Sequence, residues 1–268
     1  MDRLTSKDGT PIAYERQGSG PGVILVTGGL DDGSENAPLA EELARSFTTY
    51  NYARRGRAES GDTQPYAVER EIEDIEALIG VAGGSAHLYG VSSGGALVLE
   101  AAAAGVAADR LAIYEVPYQT VPEFVDAWQG YVRQLDGLVS AGRPGDAVEL
   151  FMRFVGASDE DVEGAKTSPY WAGLEAIGHT LVYDAACLGD GRVPTDRFAR
   201  ISQPTLVATG AAISEDTPMG ALPADFFLRA AEEIVAAVPN AEALTLEGQG
   251  HVVDAKVLAP ELERFFGS

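Results

Sequence analysis

The chain has 268 residues, 46% of them hydrophobic, a single cysteine and a formal net charge of −22. That length and apolar content suffice for a full core, while the lone Cys187 excludes an internal disulfide framework and a cysteine-rich zinc site. An isoelectric point near 4.3 excludes the basic patches that nucleic acids and anionic membranes require. No basic-then-apolar segment precedes Leu4 and no run approaches about eighteen apolar residues, so neither an export signal nor a membrane span is expected and the cytoplasm is the default compartment.

Strands and helices alternate along the chain, the pattern of a mostly parallel sheet with helices on both faces. Residues 23–26 form a short apolar strand running into Thr27-Gly28-Gly29-Leu30-Asp31-Asp32-Gly33. A helix is predicted over 34–46, with Leu39 and Leu43 on one face. A clearer one covers 69–79, where Ile72, Ile75, Leu78 and Ile79 recur at helical spacing. Glu71, Glu73, Asp74 and Glu76 fill its other positions and read as a solvated face, not a metal site. Strands follow at 86–91, 111–116 and 205–209, then an amphipathic helix at 225–238 and a last strand at 244–247. Pro260 is expected to open a closing helix that carries Leu262, Phe265 and Phe266.

Residues 117–203 break the alternation, being helical in pattern and without a convincing strand. An insertion at that point lies over the carboxyl ends of the strands, where open α/β sheets bind ligands. The expected organisation is therefore a core formed by 1–116 and 204–268, with a helical lid at 117–203. Tyr118, Phe124, Trp128, Tyr131, Phe151, Phe154, Tyr170, Trp171 and Tyr183 supply that lid with aromatic surface.

The most informative residues are Gly90-Val91-Ser92-Ser93-Gly94-Gly95, which follow the strand at 86–91. Glycine-x-serine-x-glycine at a strand-to-helix turn presents a serine hydroxyl on a sharply bent backbone, because only glycine tolerates the crowding on either side. A plain glycine-rich turn is the alternative. Downstream of the last strand, Gly248-Gln249-Gly250-His251 puts a histidine on a flexible loop. Of the other two histidines, His87 sits within a strand and His179 within the lid.

The chain resembles the α/β-hydrolases from end to end. Residues 11–116 are similar to the first half of that core and 205–266 to the second. Tyr52-Ala53-Arg54-Arg55-Gly56-Arg57-Ala58-Glu59-Ser60-Gly61 resembles the family's Asp-x-Arg-Gly-x-Gly-x-Ser loop, with Ala53 and Ala58 replacing the aspartate and second glycine. The resemblance implies a serine nucleophile at Ser92, a general base at His251, and an oxyanion hole from the Gly29 and Ser93 amides. The triad acid is less direct. Where the family usually has an aspartate after the seventh strand, Gly210-Ala211-Ala212-Ile213 has isoleucine, with Glu215 and Asp216 slightly late. Some lid-bearing relatives take the acid from the sixth strand, which here ends Ile113-Tyr114-Glu115-Val116-Pro117. Glu115 is therefore the candidate, and Glu215 and Asp216 stay open. Among those relatives the zearalenone lactone hydrolases are similar in the Ser92-Ser93 pair, Gly29-Leu30, Glu115-Val116-Pro117 and Gly210-Ala211-Ala212.

These features imply a hydrolase of neutral, hydrophobic esters or lactones, with a small-molecule substrate, no cofactor and no metal, acting as a monomer or homodimer. Leu30, Trp128 and Trp171 are the candidate substrate contacts. Two alternatives keep the same residues: hydrolysis of a carbon–carbon bond in a diketone, and a receptor-like ligand-binding protein.

Overall fold

Eight strands pair into one sheet in the order β1-β2-β4-β3-β5-β6-β7-β8 in the computed structural model, which describes residues 1–211 and 222–268. In chain order they are β1 (Asp2–Thr5), β2 (Pro11–Gly18), β3 (Gly22–Val26), β4 (Thr48–Tyr52), β5 (Ala86–Val91), β6 (Ala108–Tyr114), β7 (Thr205–Gly210) and β8 (Ala241–Leu246). The β1–β2 and β2–β4 pairs are antiparallel and the other pairs are parallel. Every residue of β3 and β5 is buried, as expected for parallel strands covered on both faces.

Strand periodicity divides the interior into two cores. Ile24, Val26, Leu88, Leu111, Ile113 and Val207 face α2 (Val68–Val81), α3 (Ser93–Ala104) and α10 (Phe226–Ala237). Their chain neighbours Val23, Leu25, Tyr89, Ala112 and Leu206 face α1 (Ala37–Leu43) and α11 (Ala255–Phe266) on the opposite side. Between β6 and β7 the described residues contain helices only: α4 (Pro122–Ser140), α5 (Pro144–Phe154), α6 (Asp159–Thr167), α7 (Trp171–Ile177), a 3₁₀ turn at Gly178–Thr180, α8 (Leu181–Leu188) and α9 (Thr195–Phe198). None of the described helices is long and apolar enough to cross a membrane.

Two expectations are corrected. Pro260 lies inside α11 and does not open it; the helix begins at Ala255, where the Asp254 carboxylate accepts the Lys256 N–H. The missing Pro260 N–H costs one helical bond, and burial of Leu258, Leu262, Phe265 and Phe266 offsets it. Nor is the acidic face of α2 wholly solvated, because Glu71 and Asp74 are buried against Arg54 and Arg55. Three residues apart on a helix, they share the face turned towards the loop after β4.

Candidate active site

The turn from β5 to α3 places Ser92 at φ 55° and ψ −127°, a conformation that L-residues avoid. Crowding enforces it. A Cβ on Gly90 would lie 2.5 Å from the Gly94 carbonyl oxygen, and one on Gly94 would drive into the carbonyl of Thr27. The Ser92 hydroxyl is left without a hydrogen-bond partner among the described residues and lines a cavity of about 670 Å³.

Glu115 follows β6 in a left-handed conformation, φ 46°, which swings its buried carboxylate across the end of β7. One oxygen accepts the Gly210 N–H at 2.9 Å and the other lies 2.8 Å from Nδ1 of His251. A carboxylate opposite Nδ1 favours the tautomer that leaves the Nε2 lone pair free. The loop bearing His251 is held from below, where the Tyr114 hydroxyl donates to the Gly250 carbonyl at 2.6 Å. Phe227 stacks on the imidazole with centroids 5.1 Å apart and ring planes 16° apart. Ser92 and His251 line the same cavity but are not closed into a hydrogen bond, a contact that commonly tightens only when substrate binds. Ile213, Glu215 and Asp216 lie outside the described residues.

Gly28, Gly29 and Ser93 form the cavity wall next to Ser92. Among the described residues, no protein acceptor engages the Gly29 or the Ser93 N–H. Ser93 opens the twelve-residue α3, so the positive end of the helix dipole adds to its amide. Its side chain does something separate: the hydroxyl donates to Asp184 on α8 at 2.7 Å.

Asp184 belongs to a buried charge cluster for which the sequence gives only an indirect signal, three arginines within four residues of a strongly acidic chain. Arg57 donates to both Asp184 oxygens at 2.8 Å, and Arg54 donates to one of them at 2.6 Å. Arg54 also forks onto Glu71, with both bonds at 2.7 Å. Burial works to raise the Asp184 carboxyl, but Arg57, Arg54 and the Ser93 hydroxyl outweigh it and hold the group below the ordinary aspartate value. Cys187, next to the cluster, is an inert thiol that burial pushes up to about 12.

Of the aromatic residues expected over the site, Trp128, Tyr131, Phe151 and Phe154 line the cavity, joined by Leu181, Leu188 and, from α10, Phe226. Two expected contacts are absent from it. Trp171 starts α7 away from the cavity, and Leu30, at φ 53°, turns back against the core. Tyr118 packs on Phe198, Phe124 on Phe226, and Tyr183 bonds to Asp62; Tyr170 is exposed. Side-chain direction across a helix bundle depends on packing, which composition does not encode. His87 stacks on Phe266 within the core, and His179 pairs with Asp62. At the cavity rim Glu35 is exposed on one side, yet desolvation by the wall and the nearby Asp31 charge raise its carboxyl, against the opposing pull of His251. Among the described residues no cluster of three or more metal-ligating side chains occurs.

A strained serine between β5 and α3, a histidine after the last strand and a carboxylate facing it define the architecture of the α/β-hydrolases. The chain belongs to the alpha/beta hydrolase family, whose model matches residues 23–260. It is similar to the crystal structure of an alpha/beta hydrolase from Sphaerobacter thermophilus, at 46% identity over 99% of this chain and 100% of that one, with a TM-score of 0.84. The enol-lactonase of Burkholderia xenovorans shares the fold at 19% identity and a TM-score of 0.67, with 100% of each chain covered. The uncharacterized hydrolase YraK of Bacillus subtilis is 33% identical over 96 residues, a stretch that covers 34% of this chain and about a third (35%) of that relative.

Proposed function

We propose that the chain is a serine hydrolase of neutral, hydrophobic carboxylic esters or lactones. The observation that carries this reading is that His251, backed by Glu115 at 2.8 Å, lines one largely apolar cavity together with Ser92, whose hydroxyl has no hydrogen-bond partner among the described residues. His251 Nε2 takes the Ser92 proton as Oγ attacks the substrate carbonyl. The electron pair of the C=O moves onto oxygen, where the Gly29 and Ser93 amides donate to it. The tetrahedral centre then collapses and the C–O bond to the alcohol breaks. The imidazolium, held by Glu115, returns its proton to the leaving oxygen, and water repeats the sequence on the acyl-serine to release the acid. A carboxylate nucleophile, needed for dehalogenation or epoxide opening, is lacking at position 92.

Substrate class follows from the cavity. Its volume suits a ligand of moderate size, and the helical insertion between β6 and β7 acts as a cap whose Trp128, Tyr131, Phe151 and Phe154 favour apolar acyl groups or lactone rings. Glu35 at the rim and a net charge of −22 disfavour anionic substrates on approach. The motifs shared with zearalenone lactone hydrolases support lactones within this class.

The test is kcat/KM for nitrophenyl esters of increasing acyl length, a matched ester bearing a carboxylate, and a panel of lactones. We expect kcat/KM to rise by up to about fourfold per buried methylene and the anionic ester to be poorest. Trp128→Ala should flatten the dependence on length while leaving the acetate ester nearly unaffected. A flat wild-type profile or a preference for the anionic ester would contradict the assignment. Turnover of diketones but not esters would favour carbon–carbon hydrolysis, and a single turnover would favour a ligand receptor.

A further inference from the structure

We infer that Arg57 sets the strength of the oxyanion hole, because its guanidinium grips the acceptor end of the peptide unit whose N–H is that of Gly29. The inference rests on the acyl-transfer reading of Ser92 above. Arg57 is fully buried in the loop after β4, and one of its terminal nitrogens donates both to the Gly28 carbonyl and, at 3.1 Å, to the Asp31 carbonyl. The Gly28 C=O and the Gly29 N–H are two ends of one conjugated amide. A cationic donor on the oxygen draws density from the nitrogen and makes its N–H a stronger donor towards a negative oxygen on the far side. Because Arg57 is buried, solvent screens that influence little.

The same contacts fix position. Arg57 holds the carbonyls on both sides of Gly29-Leu30, where Leu30 is in the left-handed region at φ 53°. A Cβ on Gly28 would sit 3.1 Å from that of Ser92, so a small shift of this loop alters the reacting geometry. The guanidinium is fixed in turn by Thr180 Oγ1 at 3.1 Å and by the two Asp184 oxygens, both supplied by the insertion. Asp184 lines the cavity and would repel an oxyanion if it stood alone. Its charge is instead shared among Arg54, Arg57 and the Ser93 hydroxyl, so the carboxylate that lies beside Gly29 is compensated by two guanidiniums and a hydroxyl donor. In the loop motif Asp-x-Arg-Gly-x-Gly-x-Ser, Arg57 occupies a position that the motif leaves open. Arg57 is thus a positioning residue acting through a backbone amide.

Arg57→Gln and Arg57→Lys in the full chain test this, with two inhibitors of matched shape. A trifluoromethyl ketone adds to Ser92 and places an oxyanion in the hole, whereas the corresponding carbinol fills the cavity without one. For Arg57→Gln we expect kcat to fall by about 10- to 100-fold, less than the loss on deleting a whole donor, and ketone affinity to fall by the same factor. KM and carbinol affinity should stay within about threefold. Arg57→Lys keeps the charge without the fork and should lie between. If Arg57→Gln melts early, the same split in Arg57→Lys carries the test. Equal losses for ketone and carbinol, or unchanged kcat and ketone affinity in a folded variant, would overturn the inference. A wild-type protein that neither binds the ketone nor reacts with a fluorophosphonate would show instead that the acyl-transfer reading has failed and the inference with it. Wild-type reactivity with unaltered variants would sink the Arg57 role alone.

Discussion

Left-handed backbone at residues bearing a Cβ occurs at four described positions, and three of them, Leu30, Ser92 and Glu115, follow β3, β5 and β6 at the cavity end of the sheet. Each costs roughly 1–3 kcal/mol and persists because its neighbours over-determine it. At Glu115 the anchors are the Gly210 N–H and the His251 ring, which use both carboxylate oxygens. Glu115→Gln can satisfy only one. The amide nitrogen must then face either a backbone donor or Nδ1, and in the second case the imidazole carries its proton on Nε2, the wrong side to accept from Ser92. We expect a loss of about 10³- to 10⁴-fold in kcat with a melting temperature within a few degrees of wild type. Wild-type turnover by Glu115→Gln would move the acid elsewhere. The places of Ser92, Gly29, Ser93, Glu115 and His251 were legible in the sequence because each follows a strand of the sheet within a few residues, where chain order alone fixes location; their proposed roles are what the kinetic and labelling experiments test. Leu30 and Trp171 were misread because their direction is set by packing, and Asp184 was missed because its partners Arg54, Arg57 and Ser93 are 130, 127 and 91 residues away in the chain.

At the level of elements, α8 ties the insertion to the face of the core that lines the cavity. It carries Leu181 and Leu188 in the cavity wall, and between them Asp184, which ties it to α3 through Ser93 and to the loop after β4 through two arginines. Removing the Asp184 carboxylate leaves Arg54 its fork onto Glu71 but leaves buried Arg57 without a carboxylate partner among the described residues, at a cost of about 3–5 kcal/mol. Because the folded-state pKa of Asp184 lies below its unfolded value near 3.8, this stabilisation is fully present above that value and is lost as pH falls through the folded one. Asp184→Asn should therefore melt on the order of ten degrees below wild type at pH 7, and the gap should narrow below about pH 4. Thermal melts of both proteins from pH 7 to pH 3 measure it, and a gap that stays constant throughout would deny the carboxylate its role. The strands and helices flanking the site were visible in hydrophobic period. The inward turn of Glu71 and Asp74 was not, because a helix period marks a polar face without saying whether arginines cover it.

For the whole molecule, alternation of strand and helix was enough to predict a mostly parallel sheet with an insertion after its sixth strand. The first two strands were harder to see: β1 has only four residues, with a single half-buried leucine, and β2 is charged along its second half. Both belong to the antiparallel edge, where one-sided exposure weakens the apolar signal. What this architecture delivers is one serine on a strained turn, facing a cavity shared with a carboxylate-backed histidine. The most direct test is treatment with a fluorophosphonate, followed by intact-mass and peptide-level mass spectrometry of wild type, Ser92→Ala and Ser93→Ala. One adduct is expected on Ser92 in wild type, none in Ser92→Ala, and a slower adduct on Ser92 in Ser93→Ala, where the backbone amide remains. An adduct that survives in Ser92→Ala but vanishes in Ser93→Ala, or that maps to another residue, would contradict the assignment of Ser92 as the nucleophile.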